Sequence, residues 1–359
     1  MAPPHDGIRV ALVGYGMGGR LFHAPFITAE PRLDLTAVVT ANQERRHDVL
    51  SRYPGTEVLG RTEDLLEHLD GIDLVVVSTP NATHATVAEA VLSRGKPVVV
   101  DKPVTPTAHA TSRLAQVAQA HDTWVVPFQN RRWDGDFRTV ADLLRRKRLG
   151  ELHRFESRYE RWQPQVSTDS GRAWKNDGQP GAGVGILFDL GSHLIDQAVV
   201  LFGRPQGVYA EVAVRRRSSG VDDDVFVALQ YAIGPSVHLW MNAVAADRGP
   251  RFRLLGDTAA YVKWGMDPQE ERLSAGQAPG EPGWGEEPPS SWGHIVTGAE
   301  RSEVPTEPGA YQHFYAGMAA LLLDGGPPPV DIGDAVTTAE VVEAAMRSSQ
   351  TEAVVSVGT

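Results

Sequence analysis

Cysteine is absent from the 359 residues. That excludes disulfides, thiolate metal ligands and thiol nucleophiles, and it fits a cytosolic protein. Long apolar runs are missing too: none approaches the roughly eighteen residues that a membrane span needs. The first residues, Met1-Ala2-Pro3-Pro4-His5-Asp6, show no basic segment followed by an apolar one. No signal peptide is read there, and a cytoplasmic location without a membrane partner is expected. Positive charge is in short supply, with 34 Lys and Arg against 45 Asp and Glu and a net charge of −11. Nucleic acid, which needs clustered basic residues, is therefore not an expected partner. Internal repeats and long low-complexity tracts are also lacking. What is present is 42% apolar and 22% charged sequence, in the range of a soluble globular enzyme and long enough for two domains.

The first 128 residues alternate strand and helix signals. Near-continuous apolar runs at Ile8–Val13, Leu35–Thr40, Leu74–Ser78, Pro97–Val100 and Trp124–Phe128 read as strands buried on both faces. Helical stretches such as His84–Arg94 and Thr107–His121 lie between them. This pattern predicts an α/β fold with a doubly wound parallel sheet over 1–128. The pattern then changes. After a helix at Phe137–Lys147, period-two alternation runs through Leu152–Arg161, Val208–Arg217, Val225–Tyr231, Val237–Val244 and Phe252–Leu255. Helices are predicted near Leu187–Phe202, Tyr311–Leu323 and Thr337–Ser348, and a surface loop at Gln277–Gly293. Residues 129–359 thus read as an α+β domain on an open, mostly antiparallel sheet.

The chemistry sits at predicted strand ends. Gly14-Tyr15-Gly16-Met17-Gly18-Gly19 follows the first strand and opens a helix, the context of a dinucleotide cradle. Gly14 suits the tight turn, Gly16 the close approach of a pyrophosphate and Gly19 helix–strand packing. The plain alternative is an ordinary strand–helix turn. The second strand ends Val39-Thr40-Ala41-Asn42 without the acid that would hold the ribose hydroxyl of NAD. Thr40, Asn42 and Arg45 offer hydroxyl, amide and guanidinium donors instead, which favours NADP; otherwise Arg45 and Arg46 are a solvated helix face. Ser78-Thr79-Pro80-Asn81 suits contact with the nicotinamide half. His84 is an ordinary helix-start residue or one more cofactor contact. Asp101, Lys102 and Asn130 complete the candidate cofactor contacts.

Lys102, clamped before Pro103 at the end of a buried strand, is a candidate acid/base or oxyanion partner, although most lysines are solvated surface charges. Asp189 and His193, four apart, share a helical face, with Asp196 one turn on. A carboxylate beside an imidazole suits proton acceptance from a hydroxyl; the alternative is a plain helix ion pair. Only two ligands are well spaced, so no metal is expected. The glycine-rich Gly181–Gly185 would let this helix approach a ligand. Arg131 and Trp133, with Trp162 and Trp174, are candidate walls of a polyhydroxy pocket, against the alternatives of ion pairing and packing.

Together these stretches resemble the Gfo/Idh/MocA family of nicotinamide-dependent oxidoreductases over nearly the whole chain. Phe22-His23-Ala24-Pro25, Asn130-Arg131-Arg132-Trp133-Asp134 and Asp189-Leu190-Gly191-Ser192-His193-Leu194-Ile195-Asp196-Gln197 are similar to the branch with NADP-dependent scyllo-inositol dehydrogenases. The resemblance implies a Rossmann domain, an open-faced domain that mediates homodimers or homotetramers, and a cis peptide before Pro103. It also implies that Lys102 works with Asp189 and His193 at the substrate hydroxyl, His193 accepting the proton. Asp101 stands where the family usually has Glu, one methylene longer. The expected activity is NADP-dependent interconversion of a secondary alcohol and a ketone on an inositol or sugar ring. A non-catalytic NADP-binding sensor and a nicotinamide-dependent glycosidase are the other two classes.

Overall fold

The computed structural model of the chain describes residues 7–166, 183–217 and 219–358. They fold into two compact units. The first comprises Met1–Asn130, Glu271–Pro282 and Tyr311–Ala335, and the second Arg131–Glu270, Gly283–Ala310 and Val336–Thr359. The first crossing falls two residues after the boundary expected at 128/129, and the chain then returns twice to the first unit. The second return carries the helix Gln312–Asp324. Its Phe314 ring packs edge-on against Phe128 at 4.8 Å. That helix is apolar like any core helix, so nothing in its composition tells which core it joins.

The first unit is built on β1 (Ile8–Val13), β2 (Leu33–Val39), β3 (Glu57–Leu59), β4 (Leu74–Val77), β5 (Val98–Asp101) and β6 (Val125–Phe128). All pairs are parallel, in the order β3-β2-β1-β4-β5-β6. Every side chain of β4, and Val98, Val99 and Val100 of β5, is fully buried. Branched side chains covered by helices on both faces give the unbroken valine runs that the sequence displays. β3, only three residues long, shows no such run. The strand order reverses between β1 and β4, which opens a crevice at the carboxyl edge of the sheet. The loops that follow β1, β4 and β5 all leave at that edge.

The second unit carries β7 (Leu152–Glu160), β8 (Gly207–Ala213), β9 (Asp224–Gln230), β10 (Ser236–Asn242), β11 (Phe252–Gly256), β12 (Ala260–Lys263), β13 (Gly293–Thr297), β14 (Glu300–Val304) and β15 (Val355–Ser356). Their order is β14-β13-β12-β11-β7-β10-β9-β8-β15. Only β7 and β10 run parallel; the other pairs are antiparallel. Val225, Val227 and Leu229 alternate with partly exposed residues, as do Val237, Leu239 and Met241. Their buried face packs with Leu194, Ile195 and Ala198 of the helix Ser192–Phe202 and with Val341 and Ala345 of the helix Ile332–Thr351. The strand expected over Val208–Arg217 stops at Ala213. The backbone N–H groups of Arg215 and Arg216 turn instead to the Asp223 carboxylate, at 2.6 and 3.0 Å, so no ladder can continue there. The expected loop at Gln277–Gly293 gives up its last residue to β13. No helix among the described residues is long and apolar enough to cross a membrane.

Candidate active site

The glycine loop leaves β1 where the sheet order reverses. Gly14 has a φ of +98°, and a Cβ there would collide with the Ser78 carbonyl, so the turn requires glycine. A Cβ on Gly18 would come 2.6 Å from Ser78 Oγ and 2.8 Å from Asp101 Oδ2. The loop therefore lies directly on the ends of β4 and β5. Beyond it the chain winds through a π-helical stretch, Gly18–His23, into the short α-helix Ala24–Ala29. The sequence pattern predicts a helix here without signalling the wider turn. Tyr15 is buried, and its hydroxyl donates to Asp48 at 2.9 Å. Burial and that bond push the phenol far above its ordinary value. Tyr15 thus anchors the loop from within the core. Met17 sits on the loop's surface.

At the end of β2, Thr40 still joins the ladder through its N–H to Leu59. Asn42 caps the helix Gln43–Arg52, its Oδ1 accepting from Arg45 N at 2.9 Å. Arg45 Nη1 lies 4.0 Å from the place of a Gly16 Cβ, so a guanidinium stands at the lip of the glycine loop. Arg46 turns away to the Val58 carbonyl at 2.8 Å. No carboxylate ends β2. This cradle fits a dinucleotide: a glycine-rich loop, a helix start behind it, and a cation where an acid would mark the unphosphorylated ribose.

Beyond β4, Ser78 Oγ donates to Asp101 Oδ2 at 3.0 Å and Thr79 Oγ1 accepts from Thr83. Pro80 leads into the helix Asn81–Leu92. His84 on that helix is fully buried, with Nε2 2.8 Å from the Thr79 carbonyl and Nδ1 3.0 Å from that of Pro103. The ring ties the end of β4 to the loop beyond β5, and the chain itself engages both nitrogens. Asp101 Oδ1 accepts the backbone N–H of Lys102 at 2.8 Å. The Lys102–Pro103 peptide is cis. Burial opposes ionisation of Asp101, but His23, His84 and Lys102 outweigh it and hold the carboxyl well below the usual carboxylate range. Asn130 is buried at the last position of the first stretch of this unit.

In the second unit, Asp189 belongs to another π-helical stretch, Leu187–Gly191, and His193 to the α-helix that continues it. The four-residue spacing is therefore not a regular α-turn. His193 is buried and Asp189 partly exposed. Arg161 Nη2 stands 3.8 Å from Asp189 Oδ2. Asp196 receives two bonds from Arg132, at 2.8 and 2.6 Å. Arg131 is buried, and its guanidinium reaches Asp134, Tyr159 Oη and Glu270. It also stacks 4.8 Å from the Tyr159 ring centroid. The Trp133 carbonyl accepts from Ala310 and Gln269. Trp162 is 57% exposed beside Val244. Trp174 and Gly181–Ala182 lie outside the described residues. Among the described residues no group of three or more His, Asp or Glu side chains could hold a metal ion.

Three residues beside these groups carry no role in the sequence pattern: His23 and Tyr315 behind Asp101, and Arg161 beside Asp189. His23 and Tyr315 are 292 positions apart, which no local signal can join.

Residues 8–128 match the profile described as "Oxidoreductase family, NAD-binding Rossmann fold", and residues 141–357 match "Oxidoreductase family, C-terminal alpha/beta domain". The chain belongs to the Gfo/Idh/MocA oxidoreductase family. Among its relatives is the uncharacterized oxidoreductase YdgJ of Escherichia coli (strain K12), 37% identical over 96% of this chain and 97% of that one. Another is the scyllo-inositol 2-dehydrogenase (NADP(+)) IolW of Bacillus subtilis (strain 168), 31% identical over 96% and 94%. The solved structure of yvaA from Bacillus subtilis superposes with a TM-score of 0.91 at 30% identity, covering 98% of this chain and 99% of that one. As a member of the family, the chain is an oxidoreductase with an NAD(P)-binding domain and a small-molecule substrate.

Proposed function

We propose that this oxidoreductase is an NADP-dependent dehydrogenase that interconverts a secondary alcohol and a ketone on an inositol or sugar ring. Two features support the reading, each within its own unit: Lys102 follows β5 and is held beside the glycine loop through Asp101, and Asp189 and His193 stand four residues apart on consecutive helical turns. The full-length likeness to a scyllo-inositol 2-dehydrogenase supports the substrate class. Arg45 at the lip of the loop supports NADP over NAD.

Gly14–Gly19 and Arg45 would hold the dinucleotide, with Ser78–Asn81 toward its nicotinamide half. The nicotinamide, when bound, supplies the acceptor for the hydride that leaves the alcohol carbon. His193 takes the hydroxyl proton, oriented by Asp189. Lys102 is the proposed donor that stabilises negative charge growing on a substrate oxygen. Arg131, Trp133, Trp162 and Trp174 are proposed pocket residues, and homodimers or homotetramers in a cytoplasmic setting are the proposed assembly.

The test is a spectrophotometric assay of NADP⁺ against NAD⁺ with scyllo-inositol, myo-inositol and aldoses. Reduction of NADP⁺ by one of these polyols is the expected result. Tight cofactor binding without turnover would favour a sensor, and release of free sugar from a glycoside would favour a glycosidase cycle. Arg45→Ala should lower the preference for NADP over NAD about tenfold, the worth of one charge-assisted contact. An unchanged preference would remove Arg45 from that role.

A further inference from the structure

We infer that His23, fixed in orientation by Tyr315, is a positioning residue for Lys102 that acts through Asp101. The inference rests on the reading of Lys102 as the group that meets the substrate oxygen. His23 ends the π-helical stretch that follows the glycine loop. It is fully buried, and no step above uses it. Its Nδ1 lies 2.6 Å from Tyr315 Oη. Its Nε2 makes no hydrogen bond in the structure, and the nearest charge to it is Asp101 Oδ2, at 3.5 Å. The Phe128 ring packs against it, centroids 4.2 Å apart.

Tyr315 settles which nitrogen carries the proton. Burial, then the nearby charge of Asp101, push its phenol well above the ordinary value, so it stays O–H. Its hydrogen goes to the one close partner, Nδ1. A neutral imidazole that accepts at Nδ1 carries its single hydrogen on Nε2, the atom that faces Asp101. The opposite tautomer would set a lone pair against a carboxylate. The hydrogen on Nε2 then faces the Asp101 carboxylate, which already accepts from Ser78 Oγ and the Lys102 N–H. The other charged or titratable groups that act on Asp101 are His84, from the helix beyond β4, Lys102, the residue after β5, and Tyr315 itself. Because Asp101 accepts the backbone N–H of Lys102, pinning the carboxylate pins the lysine's backbone. An Asp here lacks the reach of a Glu, and the imidazole supplies the third anchor.

Three variants test this: His23→Leu, His23→Gln and Tyr315→Phe. The Asp101 carboxyl is followed by ¹³C NMR across acid pH, its signal identified by loss in Asp101→Asn. Its titration midpoint should rise by about one unit or more in His23→Leu, by less in Tyr315→Phe, and return toward wild type in His23→Gln, whose amide donates from a similar place. In turnover, His23→Leu should lower kcat about tenfold while KM for NADP stays within about twofold. The acid limb of kcat should move with the carboxyl midpoint. An unshifted midpoint in a folded variant overturns the inference, as does a shifted midpoint with wild-type kcat. If His23→Leu does not fold, Tyr315→Phe carries the same criteria. The titration needs no turnover: a protein that oxidises no polyol would sink the proposed reaction, while the midpoint still decides whether His23 holds Asp101.

Discussion

Two acids, the partly buried Asp101 in one unit and the buried Asp267 in the other, are driven in opposite directions. Burial would raise Asp101, but two imidazoles and an ammonium hold it well below the usual range. Burial and the neighbouring charge of Asp136 push Asp267 up to about 6, against hydrogen bonds from Gly135 and Gln269. The donors to Asp267 are backbone and side-chain amides at 2.7 to 3.0 Å. They satisfy the oxygens but bring no net charge. Asp136 in turn faces Arg251, both fully buried, at 3.4 Å. What an acid's neighbours bring, more than its burial, sets the direction in which its pKa moves.

That contrast is broken or sharpened first by turnover. With the proposed polyol, Lys102→Ala should lose on the order of a thousandfold in kcat and His193→Ala on the order of a hundredfold. Binding of NADPH, followed by fluorescence, should stay within a few-fold in both. Asp267→Asn should keep wild-type kcat. Were Asp267→Asn as inactive as Lys102→Ala, the division between working acid and scaffold acid would fall. Near wild-type turnover in both Lys102→Ala and His193→Ala would sink their assigned roles.

The scaffold side is tested next by stability. Arg251 donates to Ser157 Oγ and to Gln197 Oε1 at 2.9 Å as well as facing Asp136. Arg251→Met strips the buried Asp136 of its countercharge, so urea unfolding should report a loss of about 3–5 kcal/mol. Adding Asp136→Leu should recover much of it, since a buried pair removed whole costs far less than one broken. A single variant as stable as wild type would mean that the pair carries no weight there.

The same contrast explains how much could be read without coordinates. β1, β4 and β5 are legible because both faces are covered and nearly every position is apolar. β14 is Glu-Arg-Ser-Glu-Val at a sheet edge, mostly exposed, and no apolar period marks it. Lys102, Asp189 and His193 stand out because each follows a local pattern: a buried strand end, or a spacing of four. Their supports do not. His23 reaches Tyr315 and Arg132 reaches Asp196 across 292 and 64 positions, and only the fold brings them together. Asp267 is silent in the sequence for the same reason. A carboxylate's surroundings come from distant segments, and here Asp136 lies 131 positions back along the chain.

The smallest effect isolates Asp267 itself. Its folded value of about 6 lies above the roughly 3.9 of an unfolded aspartate. Between those pH values the folded chain keeps a proton that the unfolded chain releases, so stability falls as pH rises from 4 to 6 and levels beyond. A gap of about two pH units between the folded and unfolded values corresponds to roughly 3 kcal/mol. Asp101 runs the other way: its contribution is present above the unfolded value and is lost as pH falls through the lowered folded one, outside this window. Subtracting the unfolding free energy of Asp267→Asn from that of wild type, point by point from pH 4 to 7 in urea, therefore leaves Asp267 alone. The difference should move against wild type by about 3 kcal/mol and then flatten. A level difference throughout would mean that the amides around Asp267 offset both burial and Asp136, and the two acids would then differ in place but not in kind.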